Sequence, residues 1–482
     1  MYKKCIIICC LLSISICLFA QPLSPTWIKR YGGFGIERGY SLQMTMDGGC
    51  VIVGSKGGLE NAYILKVDCN GDSLWSKKYG GDSMDYAYSV VNMENDGYAI
   101  AGGNSSIIGK GMEMYLIRTD RNGDTLWTRT YGGDSDDYAR SIKETPDSGF
   151  VLAGYTYSFG DSGDMYLVRT DKNGDTLWTK TYGGPGGDAC KAIEITADSG
   201  YILFGSTFSS RWNVDVYLVR TDKNGDTLWT KTFGTSYNDV IYSGQKTIDG
   251  GFVLAGLLDT IYNDIYVARV TASGDTLWTR RYGGPGREEA YAIRPTPDSG
   301  FILCGLKNYS DTKRDDGYLL KINAKGDTLW SKLFGGPGYE RFFDVQVTPD
   351  GGFILVGDVA DSGFTNSDMY IVRTDAEGNV VAETVIPAFS LSSPSLRVCN
   401  EYGMSRMAIR YSLPKRGQIE IDVFDIQGKR IGSPVHAYQE KGSYSIVWDA
   451  AQVLGRELPS GICFIRLRTN NAVVTQKIAI MR

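Results

Sequence analysis

The chain has 482 residues, a formal net charge of −5 and one histidine. It lacks the clustered basic face that nucleic acid requires. Its length allows two or three domains, and 60 glycines with 31 tyrosines suit short strands joined by tight turns.

Residues 1–20, MYKKCIIICCLLSISICLFA, have a basic start, an apolar core and a small residue before Gln21. This is the pattern of a secretory signal cleaved after Ala20. Removing Lys3 and Lys4 with it takes the charge from −5 to −7. The apolar run is short for a membrane span, and no later stretch approaches about 18 apolar residues. A lipid-anchor reading is disfavoured because Ile16 precedes Cys17. Four cysteines fall in this segment, and the other six (Cys50, Cys69, Cys190, Cys304, Cys399, Cys463) have no CxxC pair and no regular spacing. Neither a zinc site nor a disulfide framework is indicated.

From 21 to 387 the chain repeats. TDRNGDTLWTRTYGG at 119–133 returns as TDKNGDTLWTKTYGG at 170–184 and TDKNGDTLWTKTFGT at 221–235, with looser copies around Trp75, Trp278 and Trp330. Such a period marks stacked supersecondary units. Within one unit four short, β-branched or aromatic runs are bounded by Gly, Asp, Pro or Ser, as in ARSIKETP, GFVLAGYT, MYLVRTD and TLWTKTYGG. Four strands in about 50 residues fit a propeller blade. Sets of three inner strands begin near Tyr40, Tyr88, Arg140, Lys191, Tyr242, Tyr291 and Phe343, which predicts a seven-bladed β-propeller. Two segments compete for the last outer strand, the stub PTWIKRYGG with Trp27 and VVAETVI at 380–386. The stub keeps the WxKxYGG pattern, so it is expected to close the ring and remove the sheet edges.

The DKNGD segment offers Asp120, Asn122 and Asp124 in the order of a calcium loop. However, TASGD and NAKGD drop the first acid and keep Gly274 and Gly326. A hairpin turn whose glycine takes positive φ explains that pattern. The Trp of LWT is expected to wedge against the neighbouring blade. On the Gly174-to-Trp178 spacing behind an Asp-bearing turn, this stretch resembles the tryptophan-docking repeats of quinoprotein propellers. The vicinal pair Cys9-Cys10 falls in the signal segment and none follows it, so no quinone chemistry is implied.

An acid also recurs six residues after each Tyr or Phe of YGG: Glu37, Asp85, Asp137, Asp188, Asp239, Glu288 and Glu340. Set just before the innermost strands, these would encircle one mouth of the channel. They serve either as a cation ring or, the preferred reading, as acceptors for loop amides. No cofactor and no dedicated metal site are expected, and calcium is the one ion such a ring would take.

Propeller topology puts the short, repetitive turns on one face and the variable loops KGGLEN, NSSIIGKGME, YSFGDSGD, STFSSRWNVD, LLDTIYND, KNYSDTKRDD and DVADSGFTNSD on the other. Variable loops on a rigid scaffold commonly carry binding. Arg211, Trp212, Tyr262, Tyr309, Arg314 and Phe364 are the candidate ligand contacts there.

After a linker at 388–395, alternating runs over 396–482 suggest a small Ig-like β-sandwich of about seven strands. Tyr411-Ser-Leu-Pro414, Val423-Phe-Asp425 with Gly428, Trp448-Asp449, Gly455-Arg456, Ser460-Gly461 with Phe464, and Lys477 to Arg482 carry a resemblance. On them the tail resembles the C-terminal sorting domains of type IX secretion cargo and the related Ig-like domain of flagellar hook-cap proteins. Ala450 and Cys463 depart from that pattern. The resemblance implies export across an outer membrane by the secretion machinery, with release or surface attachment.

The single histidine, His436, stands in the tail, so a Ser-His-Asp or Cys-His site in the repeats is excluded. HExxH, Walker and GxSxG motifs are absent. The expectation is a secreted or cell-surface, non-catalytic propeller that binds extracellular protein or glycan and spans no membrane. The alternative is a glycan-active, endoglucanase-like hydrolase using two carboxylates on the variable-loop face.

Overall fold

The computed structural model describes residues 26–380 and 394–480, apart from short loop segments and the stretches 401–405 and 450–460. The signal segment, residues 381–386 of VVAETVI and most of the linker lie outside the described residues. Among the described residues every regular element is a strand, and no helix is long and apolar enough to cross a membrane.

The chain is all-β, and its four-stranded sheets repeat in the manner of a β-propeller. In the third repeat the strands Asp137–Glu144, Phe150–Thr156, Asp164–Thr170 and Thr176–Tyr182 pair antiparallel in chain order. Five further sheets between Glu37 and Phe334 keep this order. The last sheet takes Tyr339–Val347, Phe353–Ala360 and Ser367–Thr374 from its own repeat and Trp27–Tyr31 from the N-terminal stub. The register runs from Trp27 opposite Arg373 to Tyr31 opposite Met369, so the WxKxYGG stub supplies the missing outer strand.

Burial peaks in the two middle strands of each sheet for a sequence reason, the first strand being half-buried and the outer one mostly exposed. The second and third strands, such as FVLAGYT and MYLVRT, are near-continuous apolar runs, with Asp164–Thr170 buried throughout. They are covered on both faces, as such runs require. TLWTKTY alternates and exposes every second residue. Each apolar cluster joins two neighbouring sheets. One unites Ala153, Met165 and Leu167 of the third sheet with Ile193, Leu203 and Val219 of the fourth. Truncating such a residue, Leu203 for example, costs about 2–5 kcal/mol through the cavity left behind.

The first strands contact one another in sequence, and Glu37–Met44 also contacts Tyr339–Val347, closing the cycle. Each carries a one-residue bulge, for instance between Ala139 and Ser141 and between Cys190 and Ala192.

The C-terminal region has a three-stranded sheet (Ser395–Asn400, Arg406–Leu413, Gly442–Asp449) and a four-stranded one (Arg430–Gln439, Gly417–Phe424, Gly461–Thr469, Val473–Ile480). Both feed one core containing Val398, Ile409, Trp448, Ile421, Ile465 and Leu467. Cys50, Cys190, Cys304 and Cys463 are buried free thiols, whereas Cys69 is disulfide-bonded.

Candidate functional site

The recurring motif residues are occupied in joining sheets. A Cβ added to Gly225 would lie 2.8 Å from the Trp178 ring, and Gly225 has φ +79. The same contact recurs for Trp27 with Gly71, Trp75 with Gly123, Trp127 with Gly174, Trp229 with Gly274, Trp278 with Gly326 and Trp330 with Gly378. Six of these rings are half-buried, less enclosed than a wedge between blades implies, and Trp27 is buried.

In the turn itself, Asp171 Oδ1 accepts the amides of Asn173 (2.8 Å) and Asp175 (2.9 Å). Thr271 Oγ1 accepts from Asp275 at 3.1 Å, and Asn323 Oδ1 from Lys325 and Asp327, both at 2.9 Å. Any short side chain with an acceptor serves here, which is why the first acid can be lost while the glycine stays. The second acid pairs with a Lys of the preceding sheet, as in Lys180–Asp226 at 3.0 Å.

The seven acids stand within the first two residues of the first strands, where the sequence placed them just before, and all are buried. Asp85, Asp137 and Asp188 each accept the amide four residues upstream at 2.9 Å, and Asp239 accepts that of Thr235 at 2.6 Å. Glu288 pairs with Lys307 at 2.8 Å and Glu37 with Lys56 at 3.8 Å. Both Glu340 oxygens are buried without a hydrogen-bond partner among the described residues, and burial holds its pKa above the usual range. A second carboxylate often stands close by. A Cβ on Gly183 would meet Asp164 Oδ1 at 2.3 Å and Asp188 Oδ2 at 2.5 Å. Burial, and then Asp215 beside it, push the Asp239 carboxyl upward. Among the described residues no three His, Cys, Asp or Glu side chains group as metal ligands.

The variable loops and the loops that enter the first strands share one face and bond to each other, as in Tyr157 N to Asp136 O (2.9 Å) and Phe208 N to Gly187 O (3.0 Å). Tyr262 and Arg314 are exposed on it. Arg211, Trp212, Tyr309 and Phe364 lie outside the described residues. The same face carries Tyr157, Phe208 and Tyr237, each more than half exposed. Sequence reasoning passed over these three. Two of them stand inside YSFGDSGD and STFSSRWNVD, where any aromatic in a variable loop was a usable signal.

A second feature lies on the axis. The bulges place Tyr40, Tyr88, Arg140, Lys191, Tyr242, Tyr291 and Phe343 at equivalent positions of the seven first strands. Ring centroids are 5.2 Å apart for Tyr242–Tyr291, 5.3 Å for Tyr291–Phe343, 5.6 Å for Phe343–Tyr40 and 5.2 Å for Tyr40–Tyr88. The Arg140 guanidinium stacks 3.9 Å above Tyr88. These contacts run from strand to strand around the cycle, so the bulges aim their side chains at its axis, as bulges commonly re-aim a residue.

No protein-family model matches the chain, and no curated protein matches it. Among solved structures it is similar to PorZ, a surface component of the type IX secretion system of Porphyromonas gingivalis. That match has 11% identity and a TM-score of 0.44, and it covers 96% of this chain and 61% of PorZ. It is also similar to the Neurospora crassa Pan2 WD40 domain (11% identity, 75% and 98% covered, TM-score 0.46). A third is the periplasmic gluconolactonase PpgL of Pseudomonas aeruginosa (12% identity, 68% and 97% covered, TM-score 0.43). The chain thus spans about three-fifths of PorZ's length. No activity is transferred to this chain by these similarities.

Proposed function

We propose that the chain is a secreted or cell-surface, non-catalytic seven-bladed β-propeller followed by an Ig-like module. In this reading the variable-loop face binds an extracellular protein or glycan, and the C-terminal module directs export through type IX secretion machinery. One observation carries the binding reading. The positions that join sheets repeat from unit to unit, whereas the variable loops of one face differ in each unit and expose aromatic side chains there: Tyr157, Phe208 and Tyr262. Aromatic residues supply large contact area at small entropic cost, which is what a recognition surface needs. Asp164 and Asp188 form a buried carboxylate pair, and Asp215 with Asp239 repeats the approach in the next unit. They mark no single blade, so nothing in them favours the hydrolase alternative.

The test is binding of the mature chain to glycan arrays and to extracellular protein fractions, beside the triple variant Tyr157→Ser, Phe208→Ser, Tyr262→Ser. The expected result is a ligand that the mature chain retains and the triple variant loses at unchanged thermal stability. Equal binding by both would remove the loop face from the reading. Export is tested separately by deleting 396–482 and following the protein to the cell surface.

A further inference from the structure

The axial ring is uneven. Five of its seven positions are aromatic, and the other two, Arg140 and Lys191, are cations on adjacent first strands. Arg140 Nη2 donates to the Tyr155 hydroxyl at 2.8 Å, and the guanidinium stacks on Tyr88. Its Nε is buried without a hydrogen-bond partner among the described residues. Lys191 Nζ lies 5.3 Å from the Tyr155 ring centroid. Among the described residues neither cation has a carboxylate within ion-pair distance. Other cations of the first strands and the loops that enter them are matched: Arg341 pairs with Asp358 at 2.7 Å and Arg287 with Glu289 at 2.8 Å.

Two adjacent, largely desolvated cations without a counter-charge repel each other and leave donors unsatisfied, which is costly unless something offsets it. Burial, with Arg140 adding to it, lowers the Lys191 pKa to about 8, the direction an uncompensated ammonium takes. A half-buried guanidinium whose Nε–H lacks a partner among the described residues, beside an ammonium, is suited to an oxyanion, because charge-assisted bonds to such a fork are strong and directional. The tyrosines around it then supply hydroxyls and flat apolar walls.

We propose that Arg140 and Lys191 form an oxyanion-binding site in the axial channel, in which a small carboxylate, sulfate or phosphate is held between the two cations against Tyr88 and Tyr155. This site stands apart from the loop-face reading and does not depend on it.

The experiment is thermal unfolding and calorimetric titration of the mature full chain with sodium glucuronate, sodium acetate, sodium sulfate and sodium phosphate, at ionic strength fixed with sodium chloride. Arg140→Gln and Lys191→Gln are run beside it. The expected result is saturable binding of at least one oxyanion with a rise in Tm, weakened at least tenfold in each variant. Lys191→Gln should also raise Tm in chloride alone, because it removes the repulsion. It keeps the test open should Arg140→Gln fail to fold. A response to glucuronate and acetate alone assigns a carboxylate site, and a response to sulfate or phosphate a tetrahedral-anion site. No saturable binding by any of the four, or an equal rise in wild type and Lys191→Gln, overturns the proposal.

Discussion

The Tyr182 hydroxyl donates to the carbonyl of Gly225, 43 residues further along the chain and on the next sheet, at 2.7 Å. Gly225 is also the residue on which the Trp178 ring rests. Tyr79 with Gly123, Tyr131 with Gly174 and Tyr282 with Gly326 repeat the bond at 2.6 Å. One glycine thus satisfies three demands: a left-handed turn, a flat seat for an indole and an acceptor for a buried phenol. The Trp, the Tyr and the Gly recur together because each is the partner of another repeat's copy.

Trp178→Ala removes a half-buried ring from that seat and leaves Gly225 and Tyr201 uncovered. A fully buried Trp costs about 3–5 kcal/mol on truncation, so the partial exposure of Trp178 should reduce this to about 2–3 kcal/mol. Chemical denaturation of the mature chain measures it. An unchanged midpoint would mean that the ring holds nothing.

How far the sequence can be read follows from which interactions are local. The four-strand unit, its turn and its outer Trp are written in contiguous residues, and the period exposes them. The pairing of Trp27–Tyr31 with Ser367–Thr374 was legible only because the stub repeats WxKxYGG. The axial ring was not legible in that way. Alternation predicts which residues share a face of a regular strand, and the bulge between Ala139 and Ser141 breaks it. Arg140 and Lys191 therefore looked like ordinary strand positions. The recurrence of the acid at Asp137 was readable, but not its partner, because a hydrogen bond to Gly133 and an open ligand position impose the same spacing.

Deleting 26–31 should do more harm than its length suggests. It strips the last sheet of its outer strand, removes the Trp27–Gly71 contact and bares the edge of Ser367–Thr374. An unprotected edge recruits other strands. The expected outcome, by calorimetry and light scattering, is a lowered Tm with self-association. A monomer of full stability would show that the stub is dispensable.

Acid should loosen one set of ion pairs within a defined window. Asp198 is held down to about 2 chiefly by the Thr196 hydroxyl, with Arg220 adding to it. Asp298 is also held at about 2, where burial opposes and Lys321 with Thr296 prevails. A carboxyl whose folded pKa lies below its unfolded value of about 3.9 contributes stability that is fully present above that value. The contribution is lost as pH falls through the folded pKa. Tm should therefore drop between about pH 4 and pH 2, and Asp198→Asn should flatten part of that drop. These carboxylates are more than half exposed, so solvent screening keeps each contribution small.

The buried acid at Asp137 separates a loop anchor from a cation ligand. Its Oδ2 accepts the Gly133 amide at 2.9 Å and the Ser158 hydroxyl at 2.7 Å, ties that join the loop entering the first strand to the loop between the second and third. If anchoring is its role, Asp137→Asn keeps one acceptor oxygen but weakens charge-assisted bonds and buries an amide, costing about 1–3 kcal/mol. Calcium or chelator should then leave the wild-type Tm unchanged. If the carboxylates hold a cation, their mutual repulsion is relieved only when it binds, and calcium raises Tm by mass action. The expectation is the first outcome, measured by thermal unfolding of the mature chain with calcium and with chelator. A calcium-dependent rise of several degrees that disappears in both Asp137→Asn and Asp188→Asn would reverse it and make the acids a metal site.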